Sequence, residues 1–166
     1  MIPSYDASAA LRADAQTLGF PIRLPRLPAG WQPNSGGRGD IQGGRTDPAT
    51  GRRGDALTST VGYISPTGMY MKLTQSNADE TRLVGSVHTE AYPTGSVDVA
   101  GTNWVVYRGT GQSGADAEPI WTTRLAGPAG ATQIAITGAG GTDQFRTLAS
   151  AIESQPPLPG PPRRGN

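Results

Sequence analysis

Three prolines at short intervals dominate residues 21–31 and limit what this segment can form. Pro21, Pro25 and Pro28 fix the backbone angle φ and remove three amide donors, so the segment can be neither a helix nor a central strand. Three aliphatic side chains between the prolines can still bury apolar surface, and Trp31 ends the run with a large aromatic side chain. We therefore expect a rigid, extended strap that lies across a folded domain.

Hairpin signals follow the strap along the chain. Residues 58–64 are rich in β-prone side chains, and residues 69–75 alternate between apolar and polar ones. The four residues 65–68 between them have proline second and glycine fourth, as a type I turn prefers. Residues 76–82 then predict a polar connector with room for one helical turn, and residues 83–87 a short strand. The sequence predicts two further hairpins, over residues 97–108 and 120–137. Strands joined by such short turns run antiparallel.

Two amphipathic helices flank the predicted hairpins. The first is expected over residues 9–18, where apolar side chains recur at helical spacing and Gly19 supplies a stop. The second follows Thr142, a plausible N-cap, and carries an apolar stripe that begins at Phe145. The chain is therefore predicted to fold as an α+β domain: an antiparallel meander sheet of about six strands, with N-terminal and C-terminal helices packed on one face.

The expected organisation is one domain with flexible ends. Residues 1–20 hold an N-terminal segment with the short helix, and residues 21–154 form the single α+β domain. Within it, residues 32–56 are rich in Gly, Arg, Asp and Pro, which indicates a mobile loop with one weak strand near Ile41. Residues 155–166 are dominated by proline and predict a disordered tail.

Composition excludes several classes of function. The formal net charge is +1, which gives no strong field for nucleic acid or an anionic membrane surface. The chain has no cysteine, so it has no disulfide, no thiol nucleophile and no thiolate metal site. No apolar run approaches the ~20 residues that a membrane-spanning helix needs. Lys72 is the only lysine among many arginines, which is typical of a GC-rich, for example actinobacterial, genome.

Two features could carry chemistry, and each has a simpler interpretation. The glycine-rich residues 138–142 lie between a predicted strand and a helix, where backbone amides could bind an anion. However, Asp143 stands where the dinucleotide fingerprint needs a third glycine, and it would repel an anion, so a plain turn is favoured. His88 is the only histidine, and the sequence reveals no orienting partner for it. We therefore expect no catalytic, cofactor-binding or metal site, and no enzymatic activity.

An adhesion-like tripeptide occurs twice in the expected loop, as Arg38-Gly39-Asp40 and Arg53-Gly54-Asp55. The surrounding stretch is dominated by these same residue types, so chance recurrence is the favoured interpretation. A receptor-binding role is the alternative.

Several short motifs, taken in order, resemble one known family. They are Tyr5-Asp6, Leu27-Pro28-Ala29-Gly30-Trp31, Val61-Gly62-Tyr63-Ile64-Ser65-Pro66-Thr67-Gly68, Leu73-Thr74-Gln75-Ser76, Val99-Ala100-Gly101-Thr102-Asn103-Trp104 and Ile136-Thr137-Gly138. Over most of residues 5–154 the chain is similar to an actinobacterial envelope family, domain of unknown function 4245. Its members typically have a short cytoplasmic start, one transmembrane helix and an extracytoplasmic domain. The resemblance implies an extracytoplasmic domain whose plasma-membrane anchor is absent from this chain, and it assigns no catalytic residues.

The resemblance and the missing catalytic set favour a non-enzymatic domain that contacts other envelope proteins. We expect the sheet face left open by the helices to be the interaction surface. Its candidate residues are the aromatic side chains Trp31, Tyr63, Tyr70, Trp104, Tyr107 and Trp121. The alternative is a carrier of a small apolar ligand or lipid, which needs a pocket of roughly a few hundred Å³ between sheet and helices.

Overall fold

The computed structural model describes residues 4–109 and 118–162. Within these residues three helices and seven strands follow one another: α1 Ala7–Thr17, β1 Gln32–Thr46, β2 Arg53–Ile64, β3 Tyr70–Ser76, α2 Glu80–Val87, β4 Tyr92–Val99, β5 Thr102–Arg108, β6 Ile120–Gly127, β7 Gly130–Gly138 and α3 Thr142–Glu153. The strands form one antiparallel sheet with the order β1-β2-β3-β7-β6-β5-β4. The predicted α+β class, with helices at both ends of the chain, is confirmed. No helix in the described part is long and apolar enough to cross a bilayer.

The sheet differs from the predicted meander in size and in connection. It has seven strands in the described part of the chain, and β3 pairs with β7 rather than with β4. After β3 the chain passes through α2 to the far edge of the sheet, where β4 is the outermost strand. Two ribbons, β1 to β3 and β4 to β7, are thus joined at the centre of the sheet.

The prediction of a loop over residues 32–56 is wrong, because β1 covers most of it and β2 begins within it. β1 pairs with β2 along its length, with two register shifts. Its glycine-rich composition gives a weak strand signal, and pairing with the β-prone β2 decides its conformation. Arg38 Nε also donates to Asp14 Oδ1 at 2.5 Å, and the buried Asp14 accepts from Ser59 Oγ. These contacts fix β1 to α1 and β2.

α2 lies where the sequence predicted a polar connector followed by a short strand, so that prediction is also wrong. The helix has eight residues, contains Gly85 and buries only Leu83 and Val84. Such a short apolar run cannot be assigned to helix or strand by its periodicity alone. Tertiary packing decides the outcome, because both leucine and valine enter a core cluster with the sheet.

The two faces of the sheet carry different layers. The first face packs against α1, the strap and α3, and it holds the larger core cluster. The apolar stripe predicted for α3 is buried there in full, so both terminal helices lie on one face as expected. The second face packs against α2. Its smaller cluster consists of Ala56, Ala78, Leu83, Val84, Tyr107, Ile120 and Ala135.

The strap contains neither helix nor strand between residues 21 and 28, as the prolines predict. Gln75, buried in β3, fixes it with its side-chain amide. Its Oε1 accepts from Arg23 N and its Nε2 donates to Arg23 O, both at 2.8 Å. Ile22 is fully buried, and Trp31 packs against the first-face core from the end of the strap.

Residues 155–162 dock on the domain, which differs from the disordered tail that the sequence predicts. Leu158 N donates to Ile22 O at 2.7 Å, and Gln16 Nε2 donates to Pro159 O at 2.9 Å. Leu158 also packs against the first-face core. The proline-rich composition is the signal for disorder, but an extended proline-rich segment also fits a groove beside a helix. Residues 163–166 of the predicted tail lie outside the described residues.

Candidate functional site

An open cleft lies on the first face, between the start of α3 and the edge strand β4, with a volume of about 550 Å³. Its walls come from β4, β5, the beginning of β6 and the turn between β7 and α3. The side chains that define it are Val97, Val106, Arg108, Glu118, Trp121 and Phe145. The cleft therefore lies at the boundary between sheet and helix, where the sequence placed the alternative, ligand-binding site.

Two packed aromatic rings form the apolar floor of this cleft. The ring centroids of Trp121 and Phe145 are 5.3 Å apart and the planes are tilted by 41°. Both residues are almost fully buried, so little of either side chain is exposed to the cleft. Val106 pairs with Trp121 across β5 and β6, and the half-buried Val97 continues the same apolar surface onto β4.

The glycine-rich turn forms one wall of the cleft, and it packs closely on β3. A Cβ on Gly138 would lie 2.5 Å from Tyr70 O, and one on Gly140 would lie 2.8 Å from Met71 Sδ. Gly138 also has a φ of +149°, which side chains rarely adopt. The turn joins a strand to a helix, as predicted, although the N-cap is Gly141 and the helix begins at Thr142. Close packing thus accounts for the glycines at this turn.

Arg108 and Glu118 place one positive and one negative charge among the lining residues. Both are exposed, and the side chain of neither has a hydrogen bond or ion pair with another residue in the described part of the chain. Opposite charges give the rim no field of a single sign. Such a rim suits a polar group that is neutral or zwitterionic.

The six aromatic residues predicted to form an interaction surface do not lie on one surface. The buried ones, at most 6% exposed, are Tyr63, Trp104, Tyr107 and Trp121. Trp31 is half-buried against the first-face core. Tyr70 is 40% exposed and lies over Gly62, with its hydroxyl 3.4 Å from Ser35 Oγ. Of the six, only Trp121 lines the cleft.

His88 ends α2 and packs against Gly109. Its Nδ1 is buried and has no hydrogen-bond partner among the described residues. Residues 4–109 and 118–162 also contain no group of three His, Asp or Glu side chains placed to hold a metal ion. The expectation that the protein is not an enzyme stays a prediction.

The two adhesion-like tripeptides lie in strands rather than in an exposed loop. Arg38 belongs to β1 and pairs with Asp14 of α1. Asp55 belongs to β2 and accepts from the amide of Gly43 at 2.9 Å. These two side chains connect β1 to α1 and β2 to β1, which is a structural role.

The sequence singled out Trp121 and the glycine-rich turn of the cleft, but not the lining residues of β4 and β5, although a signal for those existed. The predicted hairpin over residues 97–108 places Val97 and Val106 on the same face when its register is drawn from the turn. The cleft itself needs the start of α3 to lie beside that hairpin. The start of α3 lies beside the β4–β5 hairpin because β3 pairs with β7. The sequence pattern does not show that pairing.

Comparison with known proteins supports one assignment. No curated protein matches the chain, and no solved structure matches it. A family model described as protein of unknown function (DUF4245) matches residues 1–152, from the N-terminal segment to the last turn of α3. This match confirms the resemblance that the ordered motifs indicated. The chain therefore belongs to the family of proteins of unknown function DUF4245.

Proposed function

We propose that the protein is a non-enzymatic binding domain that holds a small amphipathic molecule in the cleft beside α3. The observation that carries this proposal is the cleft itself, about 550 Å³ in volume, with an aromatic floor and a charged rim. Pockets for small molecules typically measure ~300–1,000 Å³ and combine apolar walls with a few polar groups. The cleft lies in this range of volume, and its lining combines apolar side chains with polar and charged groups.

The lining defines the chemistry of the ligand. An apolar group lies on the edges of Trp121 and Phe145 and against Val97. A neutral or zwitterionic polar group faces Arg108 and Glu118, because their opposite charges disfavour a ligand of high net charge. The ligand is thus a small molecule, a lipid head group with part of its chain, or a short peptide end of this amphipathic type.

Ligand binding is better supported than an open protein-interaction face. Four of the six aromatic residues expected on such a face are buried, and α2 covers part of the second face. In the described part, the large apolar side chains that are exposed come singly from four elements: Leu57, Tyr70, Val87 and Tyr92. Single exposed apolar residues are common on protein surfaces and do not indicate a partner.

The extracytoplasmic location and the membrane anchor stay predictions that rest on the family resemblance. In that location the accessible ligands include lipids and other envelope components, which contain amphipathic groups. The proposal for the cleft does not depend on this location.

The test measures binding of N-phenyl-1-naphthylamine, a neutral amphipathic dye, by its fluorescence in the presence of the folded protein. We expect saturable binding with one dye per chain. Val97→Glu places a charged side chain in the cleft and should weaken binding by about tenfold or more, because apolar contact and space are both lost. Val87→Glu is the matched control, since Val87 is exposed on α2 and does not line the cleft.

Two results would contradict the proposal. The first is an absence of saturable dye binding by the unchanged protein. The second is equal binding by the Val97→Glu and Val87→Glu variants, which would place the dye elsewhere. Thermal unfolding followed by circular dichroism establishes that both variants are folded.

A further inference from the structure

Arg23 is a buried cation that lies outside the cleft and is only 5% exposed. Its Nε donates to Gln155 O at 3.0 Å, and its Nη2 donates to Ala126 O at 3.4 Å. Its Nη1 is buried and has no hydrogen-bond partner among the described residues. Burial lowers the pKa of Arg23, although a guanidinium remains charged in proteins. The strap therefore holds a charged group whose donors are incompletely used.

No carboxylate of the described residues forms an ion pair with this guanidinium. Within residues 4–109 and 118–162 the only ion pair joins Arg38 to Asp14. Neutral carbonyl groups offset only part of the free energy lost when a charge is buried. A planar guanidinium is instead matched by two oxygens of one anion, which accept parallel N–H donors and supply the opposite charge. The donors of Arg23 thus suit an oxyanion better than the two carbonyls they contact.

Residues 155–162, which we call the tail segment, supply the cover over Arg23. The direct contact is the hydrogen bond from Arg23 Nε to Gln155 O. Gly127 lies beside both partners of this cover, because a Cβ there would lie 3.3 Å from Pro157 Cγ and 3.7 Å from Arg23 Nη2. The tail segment has no helix or strand. It is fixed by the half-buried Leu158, whose amide donates to Ile22 O, and by the exposed Gln16, which donates to two tail carbonyls.

The tail segment lies outside the residues that the family model matches. The family match ends at residue 152, one residue before the end of α3. Arg23, by contrast, lies within the matched part, between α1 and β1. The cover over Arg23 is held by a small number of contacts.

We propose that Arg23 is a binding site for an oxyanion, and that the tail segment covers this site in competition with the ligand. The ligand carries a carboxylate or phosphate group, which replaces Gln155 O as the partner of the guanidinium. The tail segment and the ligand exclude each other, so ligand binding releases the tail and tail docking weakens ligand binding.

The test uses the full chain and titrates inorganic phosphate, and separately acetate, by calorimetry at constant ionic strength maintained with chloride. Leu158→Ser removes the apolar contact of the tail segment. It should therefore raise the fraction of molecules in which the tail segment does not cover Arg23. A tenfold rise in that fraction tightens the apparent anion Kd by about tenfold, because only uncovered molecules bind. We expect this gain to vanish in Leu158→Ser/Arg23→Met and to persist in Leu158→Ser/Arg26→Met. Arg26 is an exposed arginine on the same strap.

Binding of phosphate alone or of acetate alone would support the proposal and identify the ligand as a phosphate ester or a carboxylate. The proposal is overturned if neither anion binds Leu158→Ser, or if the Arg23→Met and Arg26→Met changes have equal effects. A second measurement uses the unchanged protein: saturating anion should speed hydrogen exchange at the amide of Leu158, which the docked tail protects. Unchanged exchange in the presence of bound anion would also overturn the competition.

Discussion

The two faces of the sheet bury different amounts of apolar surface. The first face buries large side chains, among them Trp104, Phe145 and Leu11, under two helices and the strap. The second face buries a smaller cluster under the short helix α2 and adds a hydrogen bond from Tyr107 Oη to Glu80 Oε2. Because apolar stabilisation scales with buried area, the first face should contribute most of the free energy of unfolding. Because the second face buries less apolar surface, a single polar contact should form a larger share of the stability that this face contributes.

The largest expected difference between the faces comes from removing one core side chain on each. Trp104→Ala on the first face should lower the free energy of unfolding by about 4 kcal/mol, since it leaves a large cavity and the carboxylate of Glu153 loses its hydrogen bond to the indole. Leu83→Ala on the second face should cost about 2–3 kcal/mol. Urea denaturation at neutral pH measures both. Equal losses would show that the two faces contribute alike.

The sequence predicted the first face better than the second, for a physical reason. Long amphipathic stripes, such as the one that begins at Phe145, specify a helix and its buried face together. The strap was predictable because proline restricts its own backbone whatever surrounds it. α2 and β1 lack such local signals, and their conformations depend on partners that are distant in sequence. Their prediction therefore requires the fold to be known first.

For a related physical reason, most of the aromatic residues predicted to form an interaction surface lie in the core instead. Aromatic content alone does not distinguish a core residue from a surface residue, and Trp104 and Tyr63 are core residues. The strand register decides which side chains face α3, and it also brings Val97 and Val106 to the cleft. That register follows from hairpin turns that were predicted. The position of α3 beside the hairpin, which follows from the central β3–β7 pairing, was the missing information.

Each face also buries a tyrosine, Tyr107 on the second face and Tyr63 on the first, and removing its hydroxyl should have a smaller effect. Tyr107→Phe removes the hydrogen bond to Glu80 and leaves that carboxylate with one partner fewer. We expect a loss of about 1–2 kcal/mol at neutral pH, the usual range for a hydrogen bond to a carboxyl group. Urea denaturation measures the loss. A change of zero would mean that the second face does not depend on this contact.

Alkaline pH extends the test of Tyr107. Burial, and then the contact with Glu80, raise the pKa of Tyr107 to about 12 from its usual value near 10. The folded state therefore favours the neutral phenol, so this contribution to stability is complete below pH 10 and is lost between about pH 10 and pH 12. Unfolding free energies measured across this range should fall more gently for Tyr107→Phe than for the unchanged protein. If the unfolding free energies of the two proteins fell in parallel with pH, the loss could not be assigned to Tyr107.

The smallest effect is expected for Tyr63→Phe on the first face. The hydroxyl of Tyr63 is buried and has no hydrogen-bond partner in the described part of the chain, so its removal leaves nothing unpaired. The free energy of unfolding at neutral pH should change by less than about 0.5 kcal/mol or increase slightly. Burial, with a smaller contribution from Tyr5, also raises the pKa of Tyr63, so this variant too should lose less stability above pH 10. A clear loss at neutral pH would instead reveal a polar contact at Tyr63, and the first face would then resemble the second in its dependence on hydrogen bonds.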